Sequence, residues 1–229
     1  MLSLIDFIDM IDRDYCFSLS RFGDGEWNAI FGEKGGNCDG HRYIPEMGRE
    51  LKKCLEVEED NWFKGSCPGR SFAPNHDKIL ETNKDYKWHF KADVFTWANS
   101  DGNFHPFIKM LRTKNVLFVG PTRIRRIGSI LDLSNSDFHS IPVRNCYMDI
   151  VSIVRQVKSR CYANKHDLVL FSAGMPSACM IYRLYPDLGQ TTTLIDIGSI
   201  WEPYCGHRIR SYHKRPDWAV NMERNLNGI

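Results

Sequence analysis

Strand-like apolar runs alternate with segments of helical periodicity along this chain of 229 residues. Runs typical of strands buried in a parallel sheet occupy residues 15–19, 115–119, 167–171 and 191–195. Apolar residues spaced by three and four predict helices at residues 2–11, 45–57, 75–88, 104–111, 147–161 and 177–185, with Ser3 as the first N-cap. The alternation predicts an α/β fold with a single Rossmann-like, doubly wound, mostly parallel sheet and flanking helices.

Three further segments give a weaker pattern. Residues 93–97 are predicted to form a short strand that runs into a turn, and residues 138–143 a further strand. Residues 61–75 follow no period, because glycine and proline interrupt them repeatedly. We expect one domain over residues 1–229, in which residues 32–92 form an insertion or a subdomain.

Glycine and polar residues collect in five loops that each follow a predicted strand. These loops occupy residues 20–26, 97–101, 120–123, 172–175 and 196–199. Open α/β sheets bind ligands beyond the carboxyl ends of their strands, so the common placement predicts one shared crevice. The loop that begins at Ser172 also opens a helix, whose first backbone N–H groups suit a phosphate. Each loop taken alone is equally typical of an ordinary turn.

The first of these loops carries the strongest chemical signal. Asp24 and Glu26 lie two residues apart, and Gly25 between them allows a sharp turn that aims both carboxylates at one point. Paired carboxylate ligands favour Mg²⁺ or Mn²⁺ over zinc, and such an ion completes its shell with water and substrate phosphates. The segment therefore predicts a metal–phosphate site beside Arg21, with a simple turn as the alternative.

Composition and motifs exclude several classes of function. A net charge of +2 gives no field that demands nucleic acid or membrane. The eight cysteines include no Cys-x-x-Cys pair, so a zinc ribbon or a thioredoxin-type site is not indicated. There is no Walker loop and no Gly-x-Gly-x-x-Gly fingerprint. No apolar run is long enough for a membrane span, and we expect a cytoplasmic protein, in the host cytoplasm if it is viral.

Three segments resemble the GT-D-fold glycosyltransferases. The Arg-Phe-Gly-Asp-Gly-Glu stretch at residues 21–26 resembles the hallmark of that family, which contains its Asp-x-Glu metal motif. The Ser-Ala-Gly-Met-Pro-Ser-Ala stretch at residues 172–178 is similar to the later strand–Gly–helix segment. Residues 194–204 resemble the near-terminal Asp-Ile-Gly segment, although Ser199 stands where some members have His and Glu202 where others often have Asp.

The resemblance implies a glycosyltransferase, with a hexose as the expected sugar, a nucleotide-sugar donor such as a UDP-sugar, and Mn²⁺ or Mg²⁺ on the diphosphate. Asp24 and Glu26 would bind the metal, and Arg21 would hold phosphate or orient a carboxylate. Trp97 or Phe22 would stack on a ring, or belong to the core. The other residues implied in donor binding are Gly23, Ser172, Gly174, Met175, Gly198, Arg210 and Tyr212. The acceptor would be a glycan or glycoconjugate, recognised partly by residues 32–92.

An inverting reaction needs a base for the acceptor hydroxyl, and Glu202 and Asp196 are the candidates. Glu202 is favoured, because Asp196 ends a buried strand and can equally cap the next turn. His207 and His213 are weaker candidates, since a lone histidine is more often structural.

Three alternatives remain open at this point. The basic, aromatic stretch at residues 207–218 is compatible with a transferase that acts on modified DNA bases, as some viruses use. A metal-dependent phosphoesterase would need more clustered ligands than the sequence offers. A nucleotide- or nucleic-acid-binding module without catalysis would use the acidic pair only to cap a turn. The sequence does not predict the oligomeric state.

Overall fold

A computed structural model of the protein describes residues 1–38, 40–67 and 75–228. Within these residues, seven strands form one sheet: β1 (Ser18–Phe22), β2 (Trp62–Ser66), β3 (Phe90–Lys91), β4 (Val116–Pro121), β5 (Ser136–Ile141), β6 (Leu168–Phe171) and β7 (Thr193–Asp196). Their spatial order is β3-β2-β1-β7-β6-β4-β5, and every neighbouring pair is parallel. This confirms the predicted doubly wound parallel sheet.

Helices cover both faces of the sheet and enclose two apolar cores. One face carries α1 (Leu4–Asp12), α5 (Val94–Ser100), α6 (His105–Leu111), α7 (Ile127–Ile130) and α10 (Trp218–Asn227). The other carries α2 (Asp24–Ile30), α3 (Pro45–Leu55), α4 (His76–Asn83), α8 (Ile150–Asn164) and α9 (Pro176–Leu188). Among the described residues, no helix combines the length and apolarity that a bilayer crossing requires.

Local sequence explains where several helices begin. Ser3 and Asp6 form a reciprocal capping box at the start of α1, as the Ser3 prediction implies. Helices α3, α6 and α9 each carry proline in the first turn, where its missing N–H costs no helical hydrogen bond. The central strands β4, β6 and β7 are buried along their whole length, as expected for a sheet covered on both faces.

The predicted strand at residues 93–97 is wrong, because this segment begins helix α5. The Trp97 N–H donates to the Asp93 carbonyl, which closes a helical turn, and Phe95 and Asn99 face the core four residues apart. A five-residue apolar run is too short for periodicity to separate a strand from a buried helix. The polar loop at residues 97–101 therefore ends a helix and does not follow a strand.

The stretch before α5 also differs from the prediction. Residues 62–66, predicted as irregular, form strand β2, while residues 68–74 of the same segment lie outside the described residues. The helix predicted at residues 75–88 ends at Asn83. The chain then reaches the two-residue strand β3, which the sequence analysis missed and which pairs with β2.

The chain leaves β1 and β7, which are neighbours, toward opposite faces of the sheet. Trp27, in the helix after β1, lies in the core of one face, and Trp201, which follows β7, lies in the core of the other. Such a divergence leaves a crevice at the carboxyl ends of the two strands, which is the topological switch point of the sheet.

Candidate functional site

A cleft of about 450 Å³ lies at this switch point and extends along the carboxyl edge of the sheet. The predicted donor and metal residues, with one exception, and the two main base candidates line it: Arg21, Gly23, Asp24, Glu26, Trp97, Ser172, Gly174, Met175, Asp196, Gly198, Glu202, Arg210 and Tyr212. The exception is Phe22, whose fully buried ring contacts Trp27 and Trp88 in the core. Of the two interpretations of Phe22, the core role is the one that the structure supports.

Arg21 connects three strand ends at the centre of the cleft. Its Nε lies 3.5 Å from the Asp196 carboxylate at the end of β7, and its Nη1 donates to the Ala92 carbonyl at 3.0 Å. Asp196 also accepts a hydrogen bond from the Gly198 N–H at 3.1 Å. Burial raises the pKa of Asp196, and the Arg21 charge opposes that rise.

Gly198 leaves the space that the Arg21 guanidinium occupies. A Cβ at this position would lie 2.2 Å from Arg21 Nη2, closer than any non-bonded contact allows. The φ angle of +69° also favours glycine. The Asp-Ile-Gly segment therefore supplies both the partner of Arg21 and the room for it.

Glu26 lies half-buried in the first turn of α2, beside the negative charge of Asp196. Its Oε2 accepts a hydrogen bond from the Gly23 N–H at 2.9 Å and so caps the helix. Burial, and after it the repulsion from Asp196, raises the pKa of Glu26 to about 7. The surroundings disfavour the ionised form of Glu26, and a cation bound beside the carboxylate would stabilise that form.

Asp24 is exposed at the start of the same helix and lines the cleft. Gly25 follows it without a side chain, and a Cβ there would meet Met175 Cγ at 3.4 Å. Tyr43 also lines the cleft, and its hydroxyl accepts a hydrogen bond from Asn28 Nδ2 of the same helix at 3.3 Å. Helix α2 thus packs against the start of α9 at Gly25, and both carboxylates line the cleft.

The cleft offers the type of ligand that a hard divalent cation prefers, but only two such side chains lie on one helical turn in the described part of the chain. Across the described residues, no cluster of three or more His, Cys, Asp or Glu side chains is placed to hold a metal ion. Asp24 and Glu26 offer carboxylate oxygens on one helical turn, which matches ions that take one or two protein carboxylates and complete their shell with water and phosphate. The residues therefore fit Mg²⁺ or Mn²⁺ bound together with a phosphorylated ligand.

The loop after β6 brings a helix start into the cleft. Ser172, Gly174 and Met175 line the wall, and the 13-residue helix α9 begins at Pro176. Ser172 Oγ is buried without a hydrogen-bond partner in the described structure. Gly174 has a φ of +65°, and its carbonyl accepts from Ser177, so the chain turns tightly into the helix. A helix N-terminus beside a spare hydroxyl is suited to a phosphate group.

Glu202 lies buried in the wall and is held by a cation that the sequence analysis assigned no role. Arg123, after β4, donates through Nε to Glu202 Oε1 at 3.0 Å and forms an ion pair with the same oxygen. Both predicted bases are thus ion-paired with an arginine, Asp196 with Arg21 and Glu202 with Arg123. The position of Arg123 after a buried strand was the sequence signal for it.

The segment after Glu202 closes the cleft with Arg210 and Tyr212. The Tyr212 hydroxyl lies 2.6 Å from Ser199 Oγ, and an Arg210 N–H donates to Cys38 Sγ. His213 does not reach the cleft. It is buried, its Nδ1 accepts from the Arg210 backbone, and burial lowers its pKa to about 4. His207 does not line the cleft either.

Several lining residues come from stretches in which the sequence showed no pattern. These lining residues are Asn37, Cys38, His41, Tyr43, Cys67, Ala92 and Asp93. Most of them lie in residues 32–92, which also supply strands β2 and β3 of the common sheet. Their contribution depends on long-range packing, so single-sequence periodicity could not identify them.

No protein-family model matches the chain, and no curated protein matches it either. Solved structures similar to it in fold include the following two. The first is the domain of unknown function 1792, which is described as highly conserved and as having a distinct glycosyltransferase fold. It aligns with a TM-score of 0.69 at 18% identity, over 89% of this chain and 79% of that one. The other is described as a new glycosyltransferase (DUF1792) from Streptococcus sanguinis, with a TM-score of 0.70 at 22% identity, over 89% and 82% of the two chains. The protein therefore shares the fold of these structures.

Proposed function

We propose that the protein is a metal-dependent glycosyltransferase. It moves a sugar, expected to be a hexose, from a nucleotide-sugar donor, expected to be a UDP-sugar, to a hydroxyl of a glycan or glycoconjugate. The observation that carries the proposal is the meeting of Arg21, Asp24, Glu26 and Asp196 with the start of α9 in one cleft at the switch point. The similarity in fold to structures described as glycosyltransferases supports the same reaction class.

In this proposal Asp24 and Glu26 hold Mn²⁺ or Mg²⁺, directly or through water. The ion would stabilise the negative charge that develops on the leaving diphosphate. Arg21, fixed by Asp196, adds a second positive charge at the same place. Its planar guanidinium presents several N–H groups, which suits phosphate oxygens.

The donor diphosphate would bind at the loop after β6, where Ser172, Gly174 and Met175 line the cleft before α9. Gly23 and Gly198 also line the cleft, and Gly198 leaves the room that the Arg21 guanidinium occupies. Arg210 and Tyr212 cover the cleft from the C-terminal segment and would contact the nucleotide.

Transfer breaks the bond between the anomeric carbon and the diphosphate oxygen and forms a bond from that carbon to the acceptor oxygen. The acceptor hydroxyl loses its proton in the same process, so a base is needed if the centre inverts. Glu202 remains the favoured base. Asp196 is engaged by both Arg21 and the Gly198 N–H, which supports a role in positioning Arg21.

A nucleic-acid acceptor is the second candidate, and the basic stretch at residues 207–218 was the reason for it. In the structure Arg215 forms ion pairs with Asp101 and Asp217, which neutralise part of that stretch. A nucleic-acid site would show binding that weakens steeply with salt. The neutralised charge favours a glycan acceptor over a polyanion.

The test is release of nucleoside diphosphate from a panel of UDP-, GDP- and TDP-sugars, with Mn²⁺ and with chelator. We expect metal-dependent release from one donor, reduced at least 100-fold in an Asp24→Ala/Glu26→Ala variant. An Asp77→Ala/Glu81→Ala variant is the matched control, because both acids are exposed on α4 and do not line the cleft. Equal rates in the two double variants, or no release from any donor, would contradict the proposal.

A further inference from the structure

Trp97 lies half-exposed at the β3 end of the cleft, whereas Trp27, Trp62 and Trp201 are almost completely buried. Its relative exposure of 50% leaves a large apolar ring in contact with water. Large apolar side chains that line a cleft and remain exposed commonly mark a ligand surface. A ligand bound at this end of the cleft would cover the exposed indole ring.

The indole is held in a fixed orientation rather than left to rotate. Its Nε1–H donates to the carboxylate of Asp93, which lies one helical turn earlier and also lines the cleft. This bond uses the edge of the ring and engages neither face. The neighbouring wall carries the short side chains of Thr96, Ala92 and Cys67, which leave room beside the ring.

The position of Trp97 relative to the central carboxylates follows from Arg21. Its guanidinium joins Asp196 to the Ala92 carbonyl, and Asp93 is the next residue after Ala92. Strand β3 lies on one side of the β1–β7 pair, whereas β6, with the helix start suited to phosphate, lies on the other. A donor bound at β6 would place its sugar over the centre and leave the β3 end for the second substrate.

The negative charge at the β3 end of the cleft favours a neutral second substrate over an anionic one. The carboxylate of Asp93 lines the cleft here, and it disfavours a phosphate or another anion. A neutral pyranose presents C–H groups on its ring face, and these can pack on the face of an indole. The hydroxyls at its edge can donate hydrogen bonds to a carboxylate.

We propose that Trp97 and Asp93 form the acceptor subsite, in which the pyranose ring of a neutral sugar packs on the indole and donates a hydroxyl hydrogen bond to Asp93. This inference rests on the proposed transferase function. It assigns the ring-stacking role predicted for Trp97 to the acceptor and not to the nucleotide.

The test separates the two substrates. UDP binding with Mn²⁺ is measured by calorimetry, and binding of a panel of neutral methyl pyranosides in the presence of UDP and the diamagnetic ion Mg²⁺ is measured by saturation-transfer NMR. The proteins are the wild type, Trp97→Ala, Trp97→Phe and Tyr162→Ala. Tyr162 is an exposed aromatic residue of α8 that does not line the cleft, which makes it the control for loss of a surface ring.

We expect UDP affinity to stay within twofold in every variant, and saturation transfer to at least one pyranoside to fall at least fivefold in Trp97→Ala. Trp97→Phe should retain most of that signal, and Tyr162→Ala all of it. A tenfold loss of UDP affinity in Trp97→Ala would overturn the inference, because the ring would then contact the nucleotide. Absence of any pyranoside signal in wild type that binds UDP would also overturn it. Failure of wild type to bind any nucleotide would instead refute the proposed function.

Discussion

At the scale of single residues, the most specific requirement of the cleft is a glycine at position 198. The Arg21 guanidinium occupies the volume in which a Cβ would lie, and it reaches Asp196 and Ala92 from there. Arg21 lies near the end of β1 and position 198 lies in the turn after the neighbouring strand β7, so the guanidinium and the turn share this small volume. One missing methyl group thus determines where the central positive charge of the cleft lies.

Gly198→Ala should weaken UDP binding in the presence of Mn²⁺ at least tenfold, because the methyl group displaces Arg21. Gly206→Ala is the matched control: Gly206 also has a positive φ, +85°, but apart from its chain neighbours no heavy atom of the described residues lies within 4 Å of its Cβ position. The backbone cost, about 1 kcal/mol or more, applies to both variants. Calorimetric titration should therefore separate them, and equal affinities would show that Arg21 does not bind the ligand.

Replacement of the two candidate bases separates their roles. Glu202→Gln keeps the size of the side chain that Arg123 holds, so UDP affinity should remain while turnover falls by about 10²-fold or more. Asp196→Asn removes the charge partner of Arg21 and should weaken UDP binding as well. Initial rates and calorimetry on both variants check this. Near-normal turnover in Glu202→Gln would remove Glu202 from the role of base.

At the scale of elements, one buried amide of α10 connects this helix to several other parts of the fold. Asn225 is fully buried, its Oδ1 accepts from the Phe104 N–H at 2.7 Å, and its Nδ2 donates to the Asn99 carbonyl at 2.7 Å. The same amide reaches the Tyr204 hydroxyl, so α5, α6, α10 and the segment after β7 share one polar network. The network includes α5, the helix that carries Trp97.

Asn225→Ala should lower the free energy of unfolding by about 3 kcal/mol, because a buried group that loses its partner costs about 1–3 kcal/mol and at least two are exposed to that loss. Urea denaturation of the wild type and the variant measures the difference. Asn227→Ala, at an exposed position of the same helix, should change it by less than about 0.5 kcal/mol. A similar small change in both variants would show that the network does not stabilise the fold.

The sequence predicted the elements whose signal is local. Continuous apolar strands such as β4 and β6, the Ser3 cap and the amphipathic helices were confirmed with shifts of a few residues at their ends. Strand β3 and the start of α5 were missed, because two or five residues carry too little periodicity to identify an element. The Arg123–Glu202 pair joins residues 79 positions apart, and no local pattern indicates such a contact.

At the scale of the whole molecule, the order of strands explains why distant motifs meet. Residues 21–26 and 196–199 are far apart in the chain, but β1 and β7 are adjacent in the sheet. The chain diverges to opposite faces after these strands and opens the cleft between them. The otherwise buried parallel sheet thus exposes polar residues at the carboxyl ends of its strands. The donor and acceptor ends of the proposed site lie there, on either side of Arg21.

The most direct test of the account is whether this cleft binds a nucleoside diphosphate together with a divalent cation. Calorimetric titration of UDP into the wild type is compared with Mn²⁺ and with chelator, and then with Asp24→Asn in the presence of Mn²⁺. We expect at least tenfold weaker binding without the metal and a comparable loss in the variant, because Asp24 and the diphosphate would share the ion. Binding of equal strength with and without the metal, or no binding of UDP under either condition, would contradict it.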